Sequence, residues 1–204
     1  MNTKVPHLIL ASQSPRRKQL LEEAGFLFEI CLPDCEEKIL PAWSPEECVL
    51  NLARQKAQSV VNSLRSSEKL PGRSWENSLV LAADTVVALG KEIFGKPKDF
   101  EDAYKMLWNL SRNKHRVITG ICLWPLASKD CLLEYETTYV SMRPLTHEEI
   151  QRYILSGESD GKAGAYAIQE TADQYVQKLE GNFDNVVGLP IDLVKKLIQK
   201  WQKT

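Results

Sequence analysis

The chain has 204 residues, and 26 lysines and arginines against 27 aspartates and glutamates leave a formal charge of −1. That balance excludes a surface built to coat nucleic acid, which calls for a strongly basic domain. At 43% hydrophobic and 26% charged, the composition is neither that of a disordered chain nor that of a disulfide scaffold. The length suits a single α/β domain over 1–204 that buries its own core. The apolar stretch at 8–11 is too short for a signal sequence or a membrane span, so the expectation is a cytoplasmic protein with no membrane partner.

In chain order, residues 7–11 read as a short buried strand. Ser14 then caps a helix with Pro15 at its first position, running over 15–24 and stopping at Gly25. A strand is expected over 26–32. After an acidic loop, Ser44-Pro45-Glu46-Glu47 starts a second helix, with Val49, Leu52, Ala53 and Val60 on its apolar face. The polar stretch 62–78, with Pro71-Gly72, reads as an exposed loop. The run LVLAADTVVAL over 79–89 is β-branched and marks a central strand, and Gly90-Lys91 turns the chain into Ile93-Phe94. Asp99 caps a helix bearing Phe100, Ala103, Leu107 and Leu110. Strands follow over 115–124 and 131–142, then a capping box of Thr146 and Glu149. A last amphipathic helix carries Val194, Leu197, Ile198 and Trp201. Helices alternating with strands, some of them hairpin neighbours, predict an α/β fold with a mixed sheet.

Several familiar patterns lack their context. Five cysteines with no C-x-x-C pair favour neither a disulfide framework nor a zinc knuckle, and Cys31 and Cys35 read as reduced thiols. His147-Glu148-Glu149 has Gln151 where a zincin helix needs a second histidine. Gly157-Glu158-Ser159-Asp160-Gly161 spells a nucleophile elbow, but a helix precedes it where the elbow needs a strand. No P-loop or dinucleotide-binding glycine motif occurs.

What remains is a charged constellation at strand ends and loops, where chemistry is usually mounted. Ser12-Gln13-Ser14-Pro15-Arg16-Arg17 is a strand-to-helix junction whose N–H groups, dipole and two guanidiniums favour a polyanion. Asp84 is a lone carboxylate in an apolar strand, a position that is costly unless paired and that suits a general base. Lys96, between Gly95 and Pro97, either aims an ammonium at a phosphate or is incidental to a turn.

The blocks LASQSPRRKQLL, AADTVV, GKP, HRVITG, GKAGAYAIQ and GNFDNVVGLP stand in an order that closely resembles the Maf family of nucleoside triphosphate pyrophosphatases, over residues 8–190. The resemblance implies an elongated mixed β-sheet flanked by helices with a central cleft, related to inosine triphosphate pyrophosphatases. It also implies a divalent cation, Mg²⁺ or Mn²⁺, a nucleotide as the small-molecule partner, and a homodimer. Carried over by position, it makes Asp84 the acceptor of the attacking water's proton. Ser12, Arg16, Arg17, Lys56 and Lys96 would hold the triphosphate, and Glu37, with Asp84, the metal. Lys162 in GKAGAY either touches phosphate or supports its loop.

The branch resembling dTTP/UTP pyrophosphatases carries glutamine after KAGAYxI, and this chain has Gln169. A carboxamide supplies both a donor and an acceptor to the uracil or thymine edge, which a carboxylate cannot, and with its amide flipped it also meets the donor and acceptor of cytosine. Its bland reading is a strand-end amide satisfying backbone. Thr85 and Arg16 match other positions tied to specificity in that branch, whereas Glu170-Thr171-Ala172 departs from the glycine frequent in relatives. The expected function is hydrolysis of dTTP and UTP to the monophosphate and pyrophosphate, with modified pyrimidine nucleotides included. The alternatives are a nucleotide-binding regulator of septum formation and cell division, or the same chemistry on 7-methyl-GTP.

Overall fold

The computed structural model describes residues 6–66, 77–168 and 171–203, with the side chains of 171 and 172 outside the description. Among the described residues, seven strands form one mixed sheet in the order β2-β1-β3-β5-β6-β7, with β4 paired to β3. They are β1 (His7–Leu10), β2 (Phe28–Ile30), β3 (Ser78–Leu89), β4 (Glu92–Phe94), β5 (His115–Pro125), β6 (Leu132–Met142) and β7 (Val176–Glu180). The flanking helices are α1 (Pro15–Glu23), α2 (Pro45–Ser66), α3 (Phe100–Leu110), α4 (His147–Leu155), α5 (Phe183–Val187) and α6 (Ile191–Gln202). β1 runs parallel to both β2 and β3, whereas β3/β4 and β6/β7 are antiparallel.

The chain divides into two compact units. The first comprises 1–84, 119–136 and 188–204. Its core joins Ile9 and Ala11 after β1, Val80 and Ala82 of β3, and Cys122 and Trp124 of β5 to Ala53, Ala57, Val60 and Val61 of α2. The second comprises 85–118 and 137–187. There Val87, Phe94, Val117, Val140 and Met142 of the strands pack against Met106, Leu107 and Leu110 of α3 and Ile150, Tyr153 and Ile154 of α4.

Local chemistry sets the helix starts as expected. Ser14 accepts from the Arg17 N–H and Asp99 from the Asp102 N–H. At α4 the Thr146–Glu149 capping box is complete, satisfying N–H groups that the first turn leaves open. One boundary differs: α2 continues through 62–66 into the stretch read as loop. The added turn is held because Val61 is buried and Leu64 packs on the core, while Arg65 donates to the carbonyls of Leu126 and Ser128. The rest of that expected loop, 67–76, lies outside the described residues, as does Gln169. β2 is also shorter than expected, spanning three residues at the edge of the sheet. At 157–161, the pattern that spells a nucleophile elbow is a run of turns following α4.

Candidate active site

Alternation along β3 aims one carboxylate at α2. Successive side chains of a strand point to opposite faces, so Val80, Ala82 and Asp84 share a face, and the first two already pack among the α2 side chains. Asp84 therefore meets Lys56, whose Nζ lies 2.5 Å from Asp84 Oδ1. The same ammonium stands 3.1 Å from Glu37 Oε1. One cation thus bridges a carboxylate that is 8% exposed and one on the exposed loop before α2. Thr85, the next residue, is half-buried and by the same alternation faces the other side of the strand.

Burial raises the pKa of Asp84 above the ordinary carboxylate value, helped by the negative charge of Glu37. Lys56 and Arg17 pull it back down without overcoming desolvation. A carboxyl raised in this way is a stronger proton acceptor when ionised than a surface aspartate.

The β1–α1 junction adds a second element. Ser12, 7% exposed, accepts from the Ser14 N–H at 3.2 Å and from Arg17 Nη1 at 3.4 Å. Arg17 also donates from Nη1 to the carbonyl of Ala83 at 2.8 Å and from Nε to that of Gly188 at 2.9 Å. It therefore ties three of the motifs together through backbone oxygens. The first turn of α1 has no acidic residue, unlike α2, α3 and α4. Its dipole is left to favour an anion, with half-buried Arg16 alongside.

In the second unit, Lys96 is exposed and Lys162 half-buried. The two motifs that carry them are joined by backbone: the Gly164 N–H donates to the Gly95 carbonyl at 2.9 Å. Gly164 has φ of 70°, and a Cβ there would meet Val87 at 3.0 Å, so the position requires glycine. Motif HRVITG is bound inward at its first and third residues. His115 is fully buried and its Nε2 lies 2.8 Å from the hydroxyl of Tyr166 in GKAGAY. Asn185 of GNFDNVVGLP donates to the carbonyl of Val117 at 3.0 Å.

Among the described residues no group of three or more histidine, cysteine, aspartate or glutamate side chains is placed to hold a metal. The pair Asp84 and Glu37 nevertheless fits a hard cation. Mg²⁺ is commonly held by one or two carboxylates with the remaining positions left to water and substrate phosphates, and two carboxylates facing one ammonium keep a net negative charge. Not evident in the sequence are the carbonyls of Ala83 and Gly188, which accept from Arg17, and the side chains of Gln55 and Ser59 of α2, which bond the backbone of Lys38 and Asp34. An i, i+4 polar pair beside Lys56 was the available signal.

A mixed sheet with helices around it, carrying a carboxylate pair bridged by one ammonium, defines an α/β protein of a known fold. The structure of the Staphylococcus aureus Ham1 protein is similar, with a TM-score of 0.51 at 13% identity, covering 96% of this chain and 99% of that one. The family model described as Maf-like protein matches residues 7–201, and the chain belongs to the Maf family. It is 43% identical to a protein of Ruminiclostridium cellulolyticum over 95% of each chain. It is 46% identical to one of Alkaliphilus oremlandii over 90% of each, and 43% identical to one of Bdellovibrio bacteriovorus over 96% of this chain and 99% of that one. All three are named dTTP/UTP pyrophosphatase.

Proposed function

We propose that this chain is a nucleoside triphosphate pyrophosphatase that hydrolyses dTTP and UTP to the monophosphate and pyrophosphate. The observation that carries the reading is the buried Asp84 beside Lys56 and Glu37, in a chain whose relatives along nearly its whole length bear that name. Water attacks the α-phosphorus, its proton passes to Asp84, a new P–O bond forms, and the bond to the bridging oxygen breaks to release pyrophosphate. Ser12, Arg16, Arg17, Lys56 and Lys96 are assigned to the triphosphate, whose oxygens carry the charge that must be neutralised. Glu37 and Asp84 are the residues to hold Mg²⁺ or Mn²⁺, which when bound neutralises phosphate oxygens and acidifies a coordinated water. Arg16, Thr85 and Gln169 are assigned to choice of base. The enzyme works in the cytoplasm as a homodimer in this reading.

The test is a screen of nucleoside triphosphates with Mg²⁺ or Mn²⁺, with pyrophosphate and orthophosphate detected separately. Pyrophosphate from dTTP and UTP is expected. Release from 7-methyl-GTP alone would transfer the chemistry to a purine. Nucleotide binding with no pyrophosphate from any substrate would leave a regulatory role in cell division in its place. Gln169→Glu should weaken UTP hydrolysis by about tenfold through loss of an amide donor, and an unchanged rate would remove Gln169 from base choice.

A further inference from the structure

The segment joining β2 to α2 carries Glu37 but has no strand or helix over 31–44. Two side chains of α2 hold it. Gln55 pairs with both backbone groups of Lys38: the Lys38 N–H donates to Gln55 Oε1 at 2.9 Å, and Gln55 Nε2 donates to the Lys38 carbonyl at 2.9 Å. Ser59 does the same for Asp34, accepting from its N–H at 2.9 Å and donating to its carbonyl at 3.0 Å. The two side chains are four residues apart, on one face of the helix, and the residues they hold bracket Glu37.

The bracketing matters because the stretch 34–38 is exposed throughout. Fixing its backbone costs conformational entropy, and its side chains bury little apolar surface to offset that. A carboxamide that satisfies the N–H and C=O of one residue acts as a single-residue strand partner. Lys56 is the next residue after Gln55, so the helix that supplies the cation also supplies the clamp for the carboxylate facing it.

From this arrangement we infer that Gln55, supported by Ser59, is a positioning residue that holds the Glu37 carboxylate against Lys56 and acts on turnover through Glu37 without touching substrate. Its effect on turnover rests on the pyrophosphatase reading, whereas the clamp itself does not.

The experiment compares the full-length chain with Gln55→Ala, Gln55→Glu, Glu37→Gln and the double variant Gln55→Ala/Glu37→Gln. Amide hydrogen exchange is followed at Asp34 and Lys38 without nucleotide, and pyrophosphate release from dTTP is followed with Mn²⁺. In Gln55→Ala, exchange at Lys38 should quicken about tenfold or more, and kcat/KM should fall about tenfold. Gln55→Glu keeps the acceptor for the Lys38 N–H and should restore protection there in part. In the double variant, activity should equal that of Glu37→Gln alone, because a residue acting through Glu37 has nothing left to position. Unchanged exchange at Lys38 overturns the clamp whatever the turnover. Faster exchange with full activity, or losses that multiply in the double variant, overturns the positioning role. Should the wild-type chain release no pyrophosphate, the functional reading fails separately, and exchange at Lys38 still decides the clamp.

Discussion

Arg17 donates to the carbonyl of Ala83, the residue immediately before Asp84, at 2.8 Å. Through the same side chain the β1–α1 loop and the turn before α6 are held to β3. Burial lowers the pKa of this guanidinium, partly against the attraction of Asp84 and Glu37. Lysine at this position ends in one nitrogen, which cannot reach both the Ala83 and the Gly188 carbonyls that Arg17 serves from two different nitrogens. Arg17→Lys should therefore leave one carbonyl unpaired, at about 1–3 kcal/mol. For a protein of this size that is a fall in Tm of roughly 2–4 °C per kcal/mol. Turnover should drop as well, because the backbone that carries Asp84 is no longer fixed. A melting curve and pyrophosphate assay that both match wild type would show that these bonds do not hold the strand.

Asp84 makes a prediction in pH. Its pKa in the metal-free chain lies above the ordinary carboxylate value because burial disfavours the charged form, and titration of its carboxyl followed by NMR without metal should show that direction. Lys56 is the largest opposing influence. Removing its charge with Lys56→Gln should move that titration to still higher pH. Asp84→Asn should abolish turnover, by about 100-fold or more, with nucleotide binding kept. The linkage sign is the reverse of that for a salt-bridged surface aspartate. A carboxyl raised in the folded state contributes stability that is present below its unfolded pKa and is lost as pH rises through the folded value. A carboxyl titration that Lys56→Gln leaves in place would separate the two residues electrostatically.

Much of this arrangement was legible in the sequence wherever the cause is local. Ser14-Pro15, Asp99 and Thr146 with Glu149 start helices through bonds within one turn, and the apolar run around Asp84 forms β3. The lone carboxylate in that run stands out because burying it needs a partner, and the partner is Lys56, 28 residues earlier. What was not legible is non-local or short. Arg17 reads as a phosphate ligand from its motif, yet its bonds to Ala83 and Gly188 span 66 and 171 residues. No periodicity announces a donor aimed at a distant carbonyl. α5 and β7 have five residues each, too few to show a helical or alternating pattern.

Gly120, the last residue of HRVITG, tests how α2 is seated. A Cβ built there would stand 2.6 Å from the backbone carbon and oxygen of Val49, closer than any side chain tolerates, and neither atom can turn away. The helix lies against β5 because this residue has no side chain, and Lys56 is seven residues, about two turns, further along it. Gly120→Ala should force α2 outward at a cost of about 3 kcal/mol or more. The resulting displacement of Lys56 should lower kcat together with Tm. A variant as stable as wild type would mean that the helix yields at this point without strain.

His115 gives the fold a pH dependence of its own. Its Nδ1 lies 3.1 Å from the Asn113 carbonyl and its Nε2 2.8 Å from the Tyr166 hydroxyl. The first nitrogen therefore carries the proton and the second accepts from tyrosine, in the neutral ring. Burial lowers the histidine pKa and raises that of Tyr166, so both groups are neutral in the folded state at pH 7. A histidine lowered by folding contributes stability that is full above its unfolded pKa of about 6.5. That stability is lost as pH falls from there toward the folded value, since the unfolded chain takes up the proton first. The urea midpoint of the wild-type chain should thus decline between pH 7.5 and pH 5.5. In His115→Gln, which keeps an acceptor for Tyr166 but has no proton to gain, the decline should be shallower. Parallel midpoints for the two proteins across that range would mean that His115 is protonated as readily in the folded chain as in the unfolded one, against its complete burial.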